Sequence, residues 1–234
     1  MIVSHNELEC YMSGNSEEYS SAHVERLEGS AFEGKNILFL GSSVTFGAAS
    51  LEDAIPEYFG RRFGCIPTKE AVSGTTLVDN GPESYVSRLK SNVDVDKDYS
   101  LVICQLSTND ATLQMPLGEL GESFEINSYD TTTVSGAIEY IIAYSKQHWN
   151  CPVMFYTGSR YESEYYDKMV NRLYQIADKW GIGVLDLWNG DEFNNISDED
   201  RKLYMADPIH PTKAGYMRWW CPVLERQLGT VLLS

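Results

Sequence analysis

No stretch of this 234-residue chain approaches the ~18 consecutive apolar residues of a membrane-spanning helix, so a bilayer span is not expected. The first residues, Met1-Ile-Val-Ser-His-Asn-Glu-Leu-Glu, lack a basic region followed by an apolar stretch, so no secretory signal is expected. Cysteine is scarce. Cys10, Cys65, Cys104, Cys151 and Cys221 are odd in number and widely spaced, with no CxxC pair. That pattern argues against a disulfide framework or a zinc site and points to a reducing, cytoplasmic compartment. Positive charge is also short: 18 Lys and Arg face 34 Asp and Glu, for a net charge of -16. Such a surface repels nucleic acid and anionic membranes, and suits a neutral substrate better than a highly anionic one. Neither a phosphate-binding P-loop nor a dinucleotide fingerprint occurs, and no cofactor is expected.

What is present reads as one globular domain with a sizeable core, 43% apolar and 22% charged. Residues 1–34 are polar and weakly periodic. They predict an irregular N-terminal arm packed on a domain that spans residues 35–234, with Leu8, Tyr11, Tyr19, Val24, Leu27 and Phe32 available for contact. From residue 35 apolar runs and helical spacings alternate. Ile37–Leu40, Glu70–Ser73, Leu101–Leu106, Pro152–Tyr156 and Gly183–Leu187 read as strands, with Cys104 a buried small hydrophobe. Ile55–Phe63, Pro82–Leu89, Val134–His148, Ser163–Trp180 and a final segment from Pro211 or Thr212 to about Leu228 read as helices. Residues 111–133 show little regularity. This alternation predicts an α/β fold, a parallel sheet with helices on both faces. Sites in such sheets form at the carboxyl ends of the strands. Ser42, Ser43, Gly74, Ser107 and Asn109 all follow predicted strands.

Two segments carry candidate chemistry. Asn36-Ile-Leu-Phe-Leu-Gly41-Ser-Ser43-Val-Thr-Phe-Gly47 runs from a strand into a glycine-bounded turn that offers a serine nucleophile. Asp207-Pro-Ile-His210 places an acid three residues before a histidine it could orient as a base. Together they supply the parts of a Ser-His-Asp hydrolase. Ser42 competes with Ser43 for the nucleophile, or serves as a turn or cap hydroxyl. His5 and His23 lie in the polar arm, and His148 ends a helix, where a cation suits the dipole. Asp-x-x-His alone offers two metal ligands, and no further His or Cys cluster accompanies it, so no metal site is expected.

Gly41-Ser42-Ser43-Val44, Gly74 in Val-Ser-Gly-Thr-Thr, Ser107-Thr108-Asn109-Asp110 and Asp207-Pro-Ile-His210 resemble, in order, the four blocks of the SGNH (GDSL-like) hydrolases. The resemblance spans residues 37–216. It implies a three-layer α/β/α sandwich with a flavodoxin-like parallel sheet of about five strands. It also implies Ser43 as nucleophile, His210 as general base and acid, and Asp207 as the group that holds the imidazole. The backbone N–H groups of Ser43 and Gly74 and the Asn109 amide would form the oxyanion hole. Two residues depart from the pattern. Ser42 stands where the family has aspartate, and Ser107 where it has glycine; with Asp110 these are secondary candidates. The α/β-hydrolase elbow Gly-x-Ser-x-Gly is nearly matched by Gly41-x-Ser43-x-Thr45. Those enzymes place the elbow after several strands, with acid and histidine on separate loops.

Long loops are often lids or binding walls, so residues 111–133 are expected near the substrate. Tyr161, Trp188 and Tyr204 could stack on a sugar ring, though each taken singly suits a core position. The expected substrate is a small-molecule or carbohydrate ester, an acetyl group on a sugar foremost. An O-acyltransferase on the same triad and a non-catalytic carbohydrate-binding relative are the alternatives.

Overall fold

The computed structural model describes residues 5–233, with the side chains of residues 9–230. What was expected of residues 1–4 and of the His5 and Leu8 side chains lies outside them. The arm is less irregular than its composition suggests. It opens with helix α1 (His5–Gly14), followed by two 3-10 turns at Glu17–Tyr19 and Ser21–His23. Its apolar residues are too sparse to show a period. Tertiary bonds tie the arm down: Asn15 Nδ2 donates to Ala49 O at 3.0 Å, and the Leu27 N–H donates to Arg62 O at 2.7 Å.

Strands and helices then alternate. The first half runs β1 (Asn36–Gly41), α2 (Ser43–Phe46), α3 (Ile55–Phe63), β2 (Ile66–Ala71), α4 (Tyr85–Ser91), β3 (Tyr99–Gln105) and α5 (Thr108–Thr112). The second half runs α6 (Val134–Trp149), β4 (Val153–Tyr156), α7 (Glu164–Trp180), β5 (Gly183–Leu185), α8 (Asp191–Asn194) and α9 (Asp198–Tyr204). The closing helix α10 (Cys221–Leu233) continues directly from a π-helical stretch, Gly215–Trp220. All five strands are parallel, in the order β2-β1-β3-β4-β5. This is the expected α/β architecture.

β2 begins at Ile66, four residues before its predicted start at Glu70. It is an edge strand, exposed or half-buried throughout, so it has no apolar run to betray it; Pro67 is tolerated there. The four-residue apolar run of β1 faces both ways. Ile37 and Phe39 join Phe59, Trp220 and Leu224 on one face of the sheet, while Leu38 and Leu40 join Val86, Ile138 and Leu173 on the other. Such double burial is why parallel strands read as continuous apolar runs.

Of the 111–133 stretch expected near the substrate, residues 111 and 112 belong to α5 and Leu113 lines a cleft with Gly74, while the part from Met115 onward is held by α6 and α7. Glu139 on α6 is fully buried and ion-paired to Lys179 on α7. Its carboxylate also accepts the Gly121 N–H at 2.8 Å and Trp180 Nε1 at 3.0 Å, while Lys179 Nζ donates to Gly121 O and Ser123 O, both at 2.7 Å. Phe124 and Tyr129 close on Trp180, and Met115 and Leu117 pack into the core. The middle of the loop is thereby tied to α6 and α7.

Candidate active site

β1 and β3 are neighbours in space but not in sequence, and the connections from their ends run to opposite sides. A crevice opens at such a switch point, at the carboxyl ends of the strands. Ser43 follows β1 as the first residue of α2, and Asn109 follows β3 in α5. His210 comes to the same place from the far end of the chain.

The Asp207–His210 turn is held by one carboxylate. Its Oδ1 accepts the backbone N–H groups of Ile209 at 2.8 Å and His210 at 2.9 Å. Its Oδ2 lies 2.7 Å from His210 Nδ1. An ionised carboxylate only accepts, so the proton of that bond belongs to Nδ1. Nε2 is then the acceptor, and it lies 2.8 Å from Ser43 Oγ. Burial pushes the Asp207 carboxyl up, but the His210 bond and the two N–H groups outweigh it and hold the acid below the usual carboxylate range. The three residues can pass a proton from the serine hydroxyl to the imidazole while the acid fixes the tautomer.

Ser42 is not arranged in this way. It is wholly buried and makes no side-chain cap bond to α2; its Oγ and N–H both turn to Gln105 Oε1, at 3.4 and 3.0 Å. The cap-hydroxyl reading of Ser42 is thereby corrected, and the hydroxyl within hydrogen-bond reach of His210 Nε2 is that of Ser43.

Gly74 has φ +81, a conformation that favours glycine, and a Cβ built there would meet nothing within 4 Å. The glycine serves the turn, and the space beside it is open to a ligand. Among the described residues, no backbone acceptor takes the N–H of Ser43 or Gly74. Asn109 Nδ2 donates one hydrogen to Thr75 O at 2.9 Å, which leaves its second hydrogen free. Ser107, which departs from the glycine of the four-block pattern, caps α5 by accepting the Asp110 N–H at 3.3 Å, and its hydroxyl donates to Thr75 O at 3.4 Å. Asp110 is buried; its carboxylate accepts the N–H groups of Leu77 at 2.7 Å and Val78 at 3.1 Å. Burial raises its pKa despite those donors. Asp110 therefore fastens the loop after Gly74 to α5 and has no contact with the Ser43–His210 pair.

Two clefts are lined by candidate site residues, although Ser43 itself lines neither. One, of about 720 Å³, holds Asp207 and His210 with Arg160, Tyr161, Arg201 and Met205. The other, of about 370 Å³, runs from Gly74 through Thr76, Asn80 and Pro82 to Leu113. Of the aromatics considered from sequence, only Tyr161 lines either cleft. Trp188 is buried against Tyr161 and Tyr166, and Tyr204 stacks on Trp219. The contribution of α9 was missed, although Ser197-x-x-Asp200 is a helix-start signal; Ser197 Oγ does accept the Asp200 N–H at 3.0 Å. Gln105 was also missed; a polar residue ending the buried run of β3 was its signal.

Residues 39–218 match the GDSL-like lipase/acylhydrolase family. No curated protein matches the chain. Among solved structures, a protein from Lactobacillus plantarum superposes with TM-score 0.68 at 18% identity, over 86% of this chain and 97% of its own. A protein of the G-D-S-L family from Desulfitobacterium hafniense gives TM-score 0.62 at 18% identity, over 85% and 99%. A family two carbohydrate esterase from Clostridium thermocellum, solved with cellohexaose, gives TM-score 0.57 at 14% identity, over 88% and 66%. At these identities the structural likenesses speak for the fold.

Proposed function

The chain belongs to the GDSL-like lipase/acylhydrolase family, hydrolases of ester bonds, and from that premise we propose a serine esterase that removes a small acyl group from a carbohydrate. The observation that carries the reading is the unbroken line Ser43 Oγ to His210 Nε2 at 2.8 Å and His210 Nδ1 to Asp207 at 2.7 Å. In the proposed reaction His210 Nε2 takes the Ser43 proton as Oγ attacks the acyl carbonyl. The tetrahedral oxyanion is met by the Ser43 and Gly74 N–H groups and the free hydrogen of the Asn109 amide. His210 returns the proton to the leaving sugar oxygen, and the acyl-enzyme remains. Water then attacks with the same histidine as base, releasing the acid and restoring Ser43.

Two observations support a sugar leaving group. The cleft beside His210 combines an aromatic ring, Tyr161, with Arg160, Glu162, Asp198 and Arg201, a mixture that can both stack on a ring face and bond hydroxyls. One structural neighbour is a carbohydrate esterase with an oligosaccharide bound. The test is hydrolysis of p-nitrophenyl acetate and of acetylated sugars by the parent, Ser43→Ala and His210→Ala proteins. Turnover in the parent, lost in both variants, is expected; undiminished turnover in Ser43→Ala would sink the nucleophile. A panel of longer acyl esters should show rates falling with chain length. Product analysis with acceptor sugars present separates hydrolysis from acyl transfer.

A further inference from the structure

Resting on the esterase reading, we infer that Gln105 is the positioning residue of the nucleophile turn, and that it acts through its carbonyl oxygen alone. Gln105 ends β3, and its side chain is only 2% exposed. Its Oε1 accepts the Ser42 N–H at 3.0 Å, the Thr45 N–H at 3.2 Å and the Thr45 hydroxyl at 2.9 Å. Ser42 and Thr45 bracket Ser43. Both N–H groups require an acceptor, so the oxygen of the amide, not the nitrogen, faces the turn.

Other side chains reach the turn at its carbonyls: Arg88 Nη2 donates to Gly41 O at 2.8 Å and the Tyr216 hydroxyl to Val44 O at 2.6 Å, whereas Gln105 takes its N–H groups. α2 has four residues, too few to stand alone, and the side chain of its N-cap Ser42 makes no cap bond to it. One oxygen on the neighbouring strand therefore gathers donors from both sides of the serine. Thr45 Oγ1 extends the clamp to β4 through the Tyr156 hydroxyl at 2.6 Å. The fit is close: a Cβ on Gly41 would fall 2.9 Å from Gln105 Oε1 and 1.7 Å from Thr45 Oγ1. Residue 41 has to be glycine for the clamp to seat.

The other end of the amide is unlike the first. Gln105 Nε2 is buried and has no protein partner. Gln105 borders a small chamber of about 10 Å³ with Val44, Thr108 and Ile209, neighbours in sequence of Ser43, Asn109 and His210. The side chain touches none of the reacting atoms. It fixes where Ser43 Oγ and the Ser43 N–H point, and a displacement of about 1 Å at such a group can cost roughly a hundredfold in rate.

The acceptor and donor ends can be tested apart in the full-length protein. Gln105→Met keeps the length and loses the acceptor, whereas Gln105→Glu keeps an oxygen facing the turn. With p-nitrophenyl acetate, Gln105→Met should lose roughly a hundredfold in kcat with KM little changed, and Gln105→Glu should keep most of kcat. In crystal structures the 2.8 Å contact between Ser43 Oγ and His210 Nε2 should open in the Met variant and persist in the Glu variant. Thermal melts establish that each protein folds. Should Gln105→Met not fold, Thr45→Val and Thr45→Ser give the same comparison, the first losing kcat and the second restoring it. A Met or Val variant with parental kcat and an unchanged contact overturns the inference, as does a Glu variant as impaired as Met. A parent that cleaves no ester defeats the esterase reading instead, and the crystal structures still decide the role of Gln105.

Discussion

Replacing Asn109 by alanine separates two jobs that one amide performs. One hydrogen of Nδ2 is engaged by Thr75 O at 2.9 Å; the other is free to meet the oxyanion. Loss of the first is an ordinary hydrogen bond, about 1 kcal/mol of stability, or a fall in Tm of about 2–4 °C for a domain of this size. Loss of the second is felt only in the transition state, where one donor is worth ~2.7–4 kcal/mol, a fall of roughly 10²–10³ in kcat. Asn109→Asp keeps the shape but can donate nothing when ionised, and should fall at least as far. Steady-state kinetics on p-nitrophenyl acetate, with thermal melts in the same buffer, read both quantities. KM should move little, because the ground-state carbonyl gains far less from the donor than the oxyanion does. A folded Asn109→Ala enzyme with kcat within about threefold of the parent would refute the oxyanion assignment, since the donor would then supply almost none of its usual effect.

Lys179→Met should destabilise the fold by ~3–5 kcal/mol in urea unfolding, because it strands the buried Glu139 carboxylate without its cation. The double variant Glu139→Gln, Lys179→Met should recover much of that loss; equal losses in the single and double variants would contradict the pairing. Asp207 gives a pH signature. Its folded-state pKa is depressed, so the stability it contributes is complete above the ordinary value of 3.8 and is lost as pH falls through the depressed value. Asp207→Asn should therefore lose less stability than the parent on acidification below that value. Urea midpoints measured on either side of it decide the point, and parallel curves for the two proteins would count against it.

The parallel order of the sheet was legible because its central strands are buried on both faces and read as unbroken apolar runs. The half-exposed β2 has no such run, and its start was misplaced. Helices with clear caps, such as α7 between Ser163 and Gly181, were legible to within a residue. α1 and α9 were not, because their polar surfaces hide the helical period. At the site, Ser43, Gly74, Asn109, Asp207 and His210 are visible in sequence as short blocks with fixed local spacing. Gln105 belongs to no block; its contacts join residues 60 and 63 positions apart, and only the pairing of β1 with β3 brings them together. Leu113 of the 111–133 stretch does line a cleft with Gly74, but the anchoring of the rest on α6 and α7 was not legible. Its anchor is a buried ion pair of Glu139, on the helix that follows the loop, with Lys179, 58 residues beyond Gly121 in the chain.

The central claim is that Ser43, activated by His210, carries the acyl group. An acid quench of the protein during turnover of p-nitrophenyl acetate, followed by peptide mass spectrometry, tests it directly. An acetyl adduct on Ser43, absent from Ser43→Ala and from His210→Ala, is the predicted result. An adduct on Ser42 under the same conditions, or one that forms undiminished without His210, would contradict the account.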